Sequence, residues 1–223
     1  MIASKITDLI GNTPMLKLKM KNNDWNVFLK LEKFNPGGSM KDRMALNMIE
    51  EAEKSGQLKP GGTIIESSSG NTAIGLAIAS AIKGYHFIAV VDHHASKEKI
   101  DMIKAYGAEI VVVGDGYKAN EVAVIEREKT AKRMSEEMEN AFFLNQADNF
   151  NNRAAYIDTL ADELINDITT INSFYAAIGT GGSACGTAMG LKKRNSNTKI
   201  NVIEPDGSIL FGGEGKPYYQ SGT

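Results

Sequence analysis

The chain has 223 residues, of which 42% are apolar and 23% charged, a composition that suits a globular protein with a sizeable core. A net charge of −2 at pH 7 excludes a broad basic field, and with it nucleic acid or an anionic membrane surface as an expected partner. The single cysteine, Cys185, excludes an intrachain disulfide and suits a reducing cytoplasm.

The N-terminal stretch "MIASKITDLIGNTPM" has a proline-bounded turn and no long apolar core, so it does not read as a secretory leader. The first strand is predicted at 26–32, "NVFLKLE". It leads into "NPGGSMKDR" (35–43), which puts Lys41 at the start of a helix over 41–55. Strands at 63–67, 86–92, 109–115, 141–146, 173–179 and 199–205 then alternate with helices at 71–83, 96–106, 117–139, 153–168 and 182–194. Several of these strands are continuous apolar runs, as strands buried on both faces are. The alternation predicts an α/β fold with parallel sheet and right-handed crossovers. The longest apolar stretch, "AIGLAIASAI", is too short to span a bilayer and reads as a buried helix.

Four loops follow strands: "NPGGSMKDR", "SSSGNT" (67–72), "NQADN" (145–149) and "GTGGSACG" (179–186). In parallel sheets ligands bind beyond the carboxyl ends of the strands, so all four are expected on one sheet edge around one small ligand. In "GTGGS", glycines let backbone N–H groups converge at a helix N-terminus, with hydroxyls from Thr180 and Ser183. That composition fits a phosphate cradle. The same loop also fits a dinucleotide fingerprint, through Gly179, Gly181 and Ala184 with Glu204 twenty residues on. An NAD(P)- or flavin-dependent oxidoreductase would then leave "SSSGNT" and Lys41 without a role.

Lys41 does not match a Walker lysine, because Met40 precedes it and Asp42 follows. A cation at a helix N-terminus opposes the helix dipole and loses its proton more readily. Such an amine is suited to forming a covalent imine. His93 and His94 lack partners at ligand spacing, so no metal site is predicted. Cys185 lacks a histidine partner and reads as a small packing residue.

Seven stretches occur in the order of a known family: "GNTPMLKL" (11–18), "LEKFNPGGSMKDR" (31–43), "ESSSGNTAIGLA" (66–77), "YGAEIVVV" (106–113), "NQADN" (145–149), "GTGGSACG" (179–186) and "EPDGSILFGGEGKPY" (204–218). On these the chain resembles the pyridoxal-phosphate-dependent β-replacement enzymes that include cysteine synthase and cystathionine β-synthase, of the tryptophan-synthase-β-like fold type II. The resemblance implies two α/β domains with mainly parallel twisted sheets flanked by helices. It puts 1–40 and 150–223 in a larger cofactor domain and 41–149 in a smaller substrate-side domain.

It implies that Lys41 carries pyridoxal 5′-phosphate as a Schiff base and acts in catalysis, and that Asn71 bonds the ring oxygen of the cofactor. Gly179, Thr180, Gly181, Gly182 and Ser183 would bind the phosphate. Ser68, Ser69, Gly70, Asn71 and Thr72, with Gln146, would hold the substrate carboxylate. The implied reaction is β-elimination or β-replacement on a serine- or cysteine-like amino acid, through an aminoacrylate, with a thiol or sulfide as nucleophile or product. A cytoplasmic homodimer is implied as well. Family members usually continue further and supply a serine or threonine to the pyridine nitrogen; no residue here matches it. The resemblance therefore implies a fragment of a longer enzyme. The alternative is a shortened, non-catalytic binding partner, against which intact Lys41, "SSSGNT" and "GTGGS" argue.

Overall fold

After the "GNTP" turn the chain pairs its first two strands with each other. β1 (Met15–Leu18) and β2 (Val27–Lys30) form an antiparallel ribbon in which Met15 faces Lys30. The computed structural model describes residues 2–21, 25–116 and 123–216. β1 is absent from the sequence expectation, because four residues that are at most half-buried carry no readable period. There follow α1 (Lys41–Lys54), β3 (Thr63–Ser67), α2 (Asn71–Lys83), β4 (His86–Asp92), α3 (Lys97–Ala105), β5 (Glu109–Val113), α4 (Val124–Glu137) and β6 (Ala141–Phe143). These strands form a parallel sheet in the order β5-β4-β3-β6.

Burial on the sheet follows the apolar runs. Ile65, Ile88 and Val90 pack with Ala131 and Met134 of α4. α2 is buried continuously from Thr72 to Ser80, as expected of a helix covered on all sides. It contacts the sheet and also α1. Gly75 permits the close approach of α1: a Cβ there would lie 3.2 Å from both Asp42 Cα and Ala45 Cβ. The N-terminal turns of α1 and α2 therefore meet. Chain order along the sheet reverses between β3 and β6, since β4 and β5 lie on one side of β3 and β6 on the other. Parallel sheets bind ligands at such a reversal, beyond the strand carboxyl ends.

The described residues divide into two compact units, Met1–Asn151 and Asn152–Thr223. α5 (Phe150–Ile157) carries the boundary and is followed by α6 (Leu160–Asp167), β7 (Ser173–Ala177), α7 (Gly182–Arg194) and β8 (Lys199–Ile203). β7 and β8 pair in parallel. The one helix expected over 153–168 is two helices. Thr159 leaves helical geometry at φ −119 and ψ −81, and its hydroxyl donates back to the Ala155 carbonyl. Gly182, Gly186 and Gly190 line one face of α7, where any Cβ would collide with Asn152, with the Arg153 carbonyl or with the Ile157 carbonyl.

The expectation of four loops on one sheet edge is corrected. There are three sheets among the described residues. Only "SSSGNT" and "NQADN" leave neighbouring strands, β3 and β6, of the same sheet. "NPGGSMKDR" follows the antiparallel ribbon, and "GTGGS" follows β7 in the second unit. Positions 117–122 of the helix expected from 117, and 217–218 of the stretch 204–218, lie outside the described residues. No helix among the described residues is long and apolar enough to cross a membrane.

Candidate functional site

Lys41 begins α1 on a mount of buried polar bonds. Glu32 is the centre of the mount. Arg43 clasps it through Nε to Oε2 at 2.7 Å and through its second guanidinium nitrogen to Oε1 at 2.8 Å. The Thr13 hydroxyl donates to Glu32 Oε1 at 2.6 Å, and Asn35 Nδ2 donates to Oε2 at 3.1 Å. The Asn35 side-chain oxygen in turn accepts the Gly11 amide at 2.8 Å. The "GNTP" turn, the segment after β2 and the first turn of α1 are thereby tied together. A bidentate, buried pair of this kind fixes geometry as well as charge.

Next to Lys41, Asp42 is 1% exposed and accepts the Gly37 amide. A Cβ at Gly37 would come within 2.5 Å of Asp42 Oδ1, so only glycine lets the loop lie so close. Burial pushes the Asp42 carboxyl up to about 6; the Gly37 amide opposes this, Glu32 adds to it and Arg43 opposes it. The Lys41 amide donates to Ser39 Oγ at 3.2 Å. Burial holds the Lys41 amine below its ordinary pKa, the direction that leaves more of it neutral and nucleophilic.

Loop 67–72 links β3 to α2. Ser68 is buried, and its hydroxyl accepts the Gly70 amide at 3.2 Å. Ser69 is partly buried and Asn71 exposed. No side chain caps the N-terminus of α2, whose cap position is Gly70, so its first amides are available to an anion. The buried Thr72 donates its hydroxyl to Gln146 Oε1 at 2.7 Å. "SSSGNT" and Gln146, expected from sequence to face one ligand, thus meet at the β3–β6 reversal. Beneath them lies a residue absent from the sequence expectation, Glu66. Its carboxylate accepts the amides of Ser67 at 2.9 Å and of Gln146 at 3.2 Å. Burial pushes Glu66 up to about 8, against the pull of the Gln146, Ser67 and Asn145 amides and with a push from Glu128. The available signal was a charged residue closing an otherwise apolar strand run.

In the second unit "GTGGS" runs from β7 into α7. Gly181 has φ +85, a conformation that favours glycine, and no side chain caps the helix. Thr180 Oγ1 accepts Asn152 Nδ2 at 3.2 Å. Gly182 is bare for a second reason: a Cβ would lie 2.0 Å from Asn152 Oδ1. Asn152 had no sequence signal, because it acts across a gap of thirty residues. Gly179 and Ser183 are partly buried, so the turn presents both amides and a hydroxyl. Cys185 is exposed, which corrects its reading as a packing residue. No group of histidine, cysteine and acidic side chains among the described residues could hold a metal ion.

The chain is similar to known proteins in sequence and fold. A family model described as pyridoxal-phosphate dependent enzyme matches residues 6–220. A putative cysteine synthase of Sinorhizobium fredii is 47% identical over 224 residues, across 100% of this chain and 66% of the relative. A cysteine synthase of Staphylococcus aureus is 43% identical over 222 residues, across 97% of this chain and 70% of the relative. Among solved structures, a hydrogen sulfide-producing enzyme from Fusobacterium nucleatum superposes with a TM-score of 0.91 at 38% identity, covering 100% of this chain and 72% of that one. An O-acetylserine dependent cystathionine β-synthase from Helicobacter pylori does so with a TM-score of 0.90 at 36% identity, again over 100% of this chain and 72% of that one. The chain spans 66% of the length of the first of these relatives.

Proposed function

Because the chain belongs to the pyridoxal-phosphate-dependent enzyme family, we propose that it carries out β-elimination or β-replacement on a serine- or cysteine-like amino acid, with a thiol or sulfide as nucleophile or product. The observation that carries this reading is the desolvated Lys41 amine, held at the start of α1 against the N-terminal turn of α2. The oxidoreductase reading of Gly179, Gly181, Ala184 and Glu204 is withdrawn, since the family match spans nearly the whole chain.

The residues present fit pyridoxal 5′-phosphate. The uncapped start of α7, with left-handed Gly181, suits a phosphate dianion, and a partly neutral Lys41 amine suits its aldehyde. Bound pyridoxal phosphate supplies an electron sink that acidifies the Cα–H of an amino acid and lets the β-substituent leave. In this reading Gly179, Thr180, Gly181, Gly182 and Ser183 hold the phosphate, and Asn71 bonds the ring oxygen. The substrate carboxylate sits at the uncapped start of α2, among Ser68, Ser69, Gly70, Asn71 and Thr72, with Gln146 beside it. Lys41 Nζ first anchors the cofactor and then takes the Cα proton. Burial assists both jobs by lowering the cost of the neutral amine. The rigid mount of Glu32, Arg43 and Asn35 returns that amine to the same place in each cycle, and misplacement costs rate.

The test is mass spectrometry of products from serine, O-acetylserine, O-phosphoserine or cysteine, offered with sulfide, with homocysteine or alone. A β-substituted amino acid or released sulfide is expected. No product from any pairing, with cofactor bound, contradicts the reading. Ser183→Ala is expected to weaken cofactor retention by about 1.5–3 kcal/mol, the worth of one charge-assisted hydrogen bond. Equilibrium dialysis reads it, and an unchanged affinity would remove Ser183 from the phosphate site.

The proposal extends to domain organisation and assembly: 1–40 with 150–223 form a cofactor-side domain and 41–149 a substrate-side domain, a division other than the two compact units, and the protein is a cytoplasmic homodimer. A monomer in sedimentation equilibrium at every concentration would contradict the dimer.

A further inference from the structure

Glu66, the penultimate residue of β3, carries a carboxyl group with 1% of its residue surface exposed. An apolar residue there would suit the sheet better, because a buried carboxyl is costly unless its oxygens are bonded. They are bonded, and among the described residues only to backbone amides. Oε1 accepts the Ser67 amide at 2.9 Å, at the root of the loop after β3. Oε2 accepts the Gln146 amide at 3.2 Å, in the loop after β6. The neighbouring Asn145 amide also draws the pKa of this carboxyl group down.

Consecutive amides converge on an anion when the chain takes a left-handed residue, and Asn145 has φ +51. A non-glycine residue holds that conformation when its surroundings over-determine it. The ring then closes through side chains: Gln146 Oε1 accepts the Thr72 hydroxyl at 2.7 Å, in the first turn of α2.

We propose that Glu66 is a positioning residue, whose carboxyl group clamps the loop after β6 to the loop after β3 and so sets Gln146 and Thr72 for the substrate carboxylate. This rests on the reading of loop 67–72 and Gln146 as the carboxylate site. Glu66 touches neither substrate nor cofactor; it acts through the two loops. Glutamine, the side chain closest in size, does not replace it. Glutamine turns one acceptor into an –NH₂ group, which faces an amide donor and cannot accept. Leucine strands the amides altogether. Lys41 stands outside the ring, so the proton transfer assigned to it is expected to survive loss of the clamp.

The experiment compares wild type, Glu66→Gln, Thr72→Val and the double variant as pyridoxal-phosphate-loaded protein, and Glu66→Gln and wild type also without cofactor. In the cofactor-free chain, hydrogen exchange at the Ser67 and Gln146 amides is expected to quicken in Glu66→Gln. In the loaded protein, Glu66→Gln is expected to raise KM for the amino acid about tenfold and change kcat less than about threefold. The double variant is expected to be no worse than the poorer single one, because both residues act through Gln146. Quickened exchange with an unchanged KM overturns the positioning role, as does an additive double variant. Unchanged exchange overturns the clamp itself. Should Glu66→Gln not fold, Glu66→Asp keeps both acceptors on a shorter stem and is read by the same criteria. A wild-type protein that binds no cofactor or amino acid sinks the proposed function, while the exchange result still decides the clamp.

Discussion

Lys41→Ala is expected to abolish turnover while sparing the turn proposed to hold phosphate. The proposed function gives the amine two jobs, and alanine removes both. Loss of a positioned general base alone costs about 10²–10⁴ in rate, and the cofactor also loses its covalent anchor. The "GTGGS" turn lies in the other compact unit and is untouched, so noncovalent cofactor binding should persist. Solvent exchange of the Cα hydrogen isolates the second job: the variant should hold that hydrogen in deuterated buffer while wild type exchanges it. Exchange at the wild-type rate in Lys41→Ala would assign the base elsewhere. Among the described residues no other lysine both begins a helix and has its charge disfavoured by burial.

Arg43→Ala is expected to have the largest effect on stability. Arg43 is 5% exposed and Glu32 8% exposed, and the two share two short bonds. Removing one partner of a buried pair leaves the other charge without compensation, at a cost of about 3–5 kcal/mol. Thr13 and Asn35 would still donate to Glu32, which places the expected loss toward the lower end of that range. Urea unfolding reads the change. Arg43→Lys should recover part of it, since an ammonium restores charge and not the two-pronged geometry. A loss below about 1 kcal/mol in Arg43→Ala would mean that the pair does not hold the Lys41 loop.

What was legible from sequence divides along physical lines. α2 starts at Asn71 and ends at Lys83, as read, because Gly70 and Gly84 bracket a run too apolar to be anything but buried. β3 and β4 also keep their expected bounds, being short apolar runs closed by polar residues. Local chemistry was enough for those. β1 was missed because four residues cannot show a period, and the break at Thr159 because a hydroxyl bonding back to Ala155 leaves no pattern. The single-sheet expectation failed because alternation of strands and helices says nothing about which strands pair. The loops of the candidate site stand out as glycine and hydroxyl clusters at strand–helix turns. Their supports do not: Glu32 meets Arg43 across eleven residues, Glu66 meets Gln146 across eighty, and Asn152 meets Thr180 across twenty-eight. Such bonds exist only after folding, and beyond the charged residue ending the apolar run of β3 the sequence carries no sign of them.

The central claim is that Lys41 is the cofactor-bearing amine. Borohydride reduction of the pyridoxal-phosphate-loaded protein, followed by peptide mass spectrometry, tests it most directly. Among twenty lysines, one should carry the label. The expected result is a phosphopyridoxyl group on the peptide containing Lys41, lost in Lys41→Ala although that variant still binds cofactor. A label on a different lysine, or undiminished labelling of Lys41→Ala, would contradict the account.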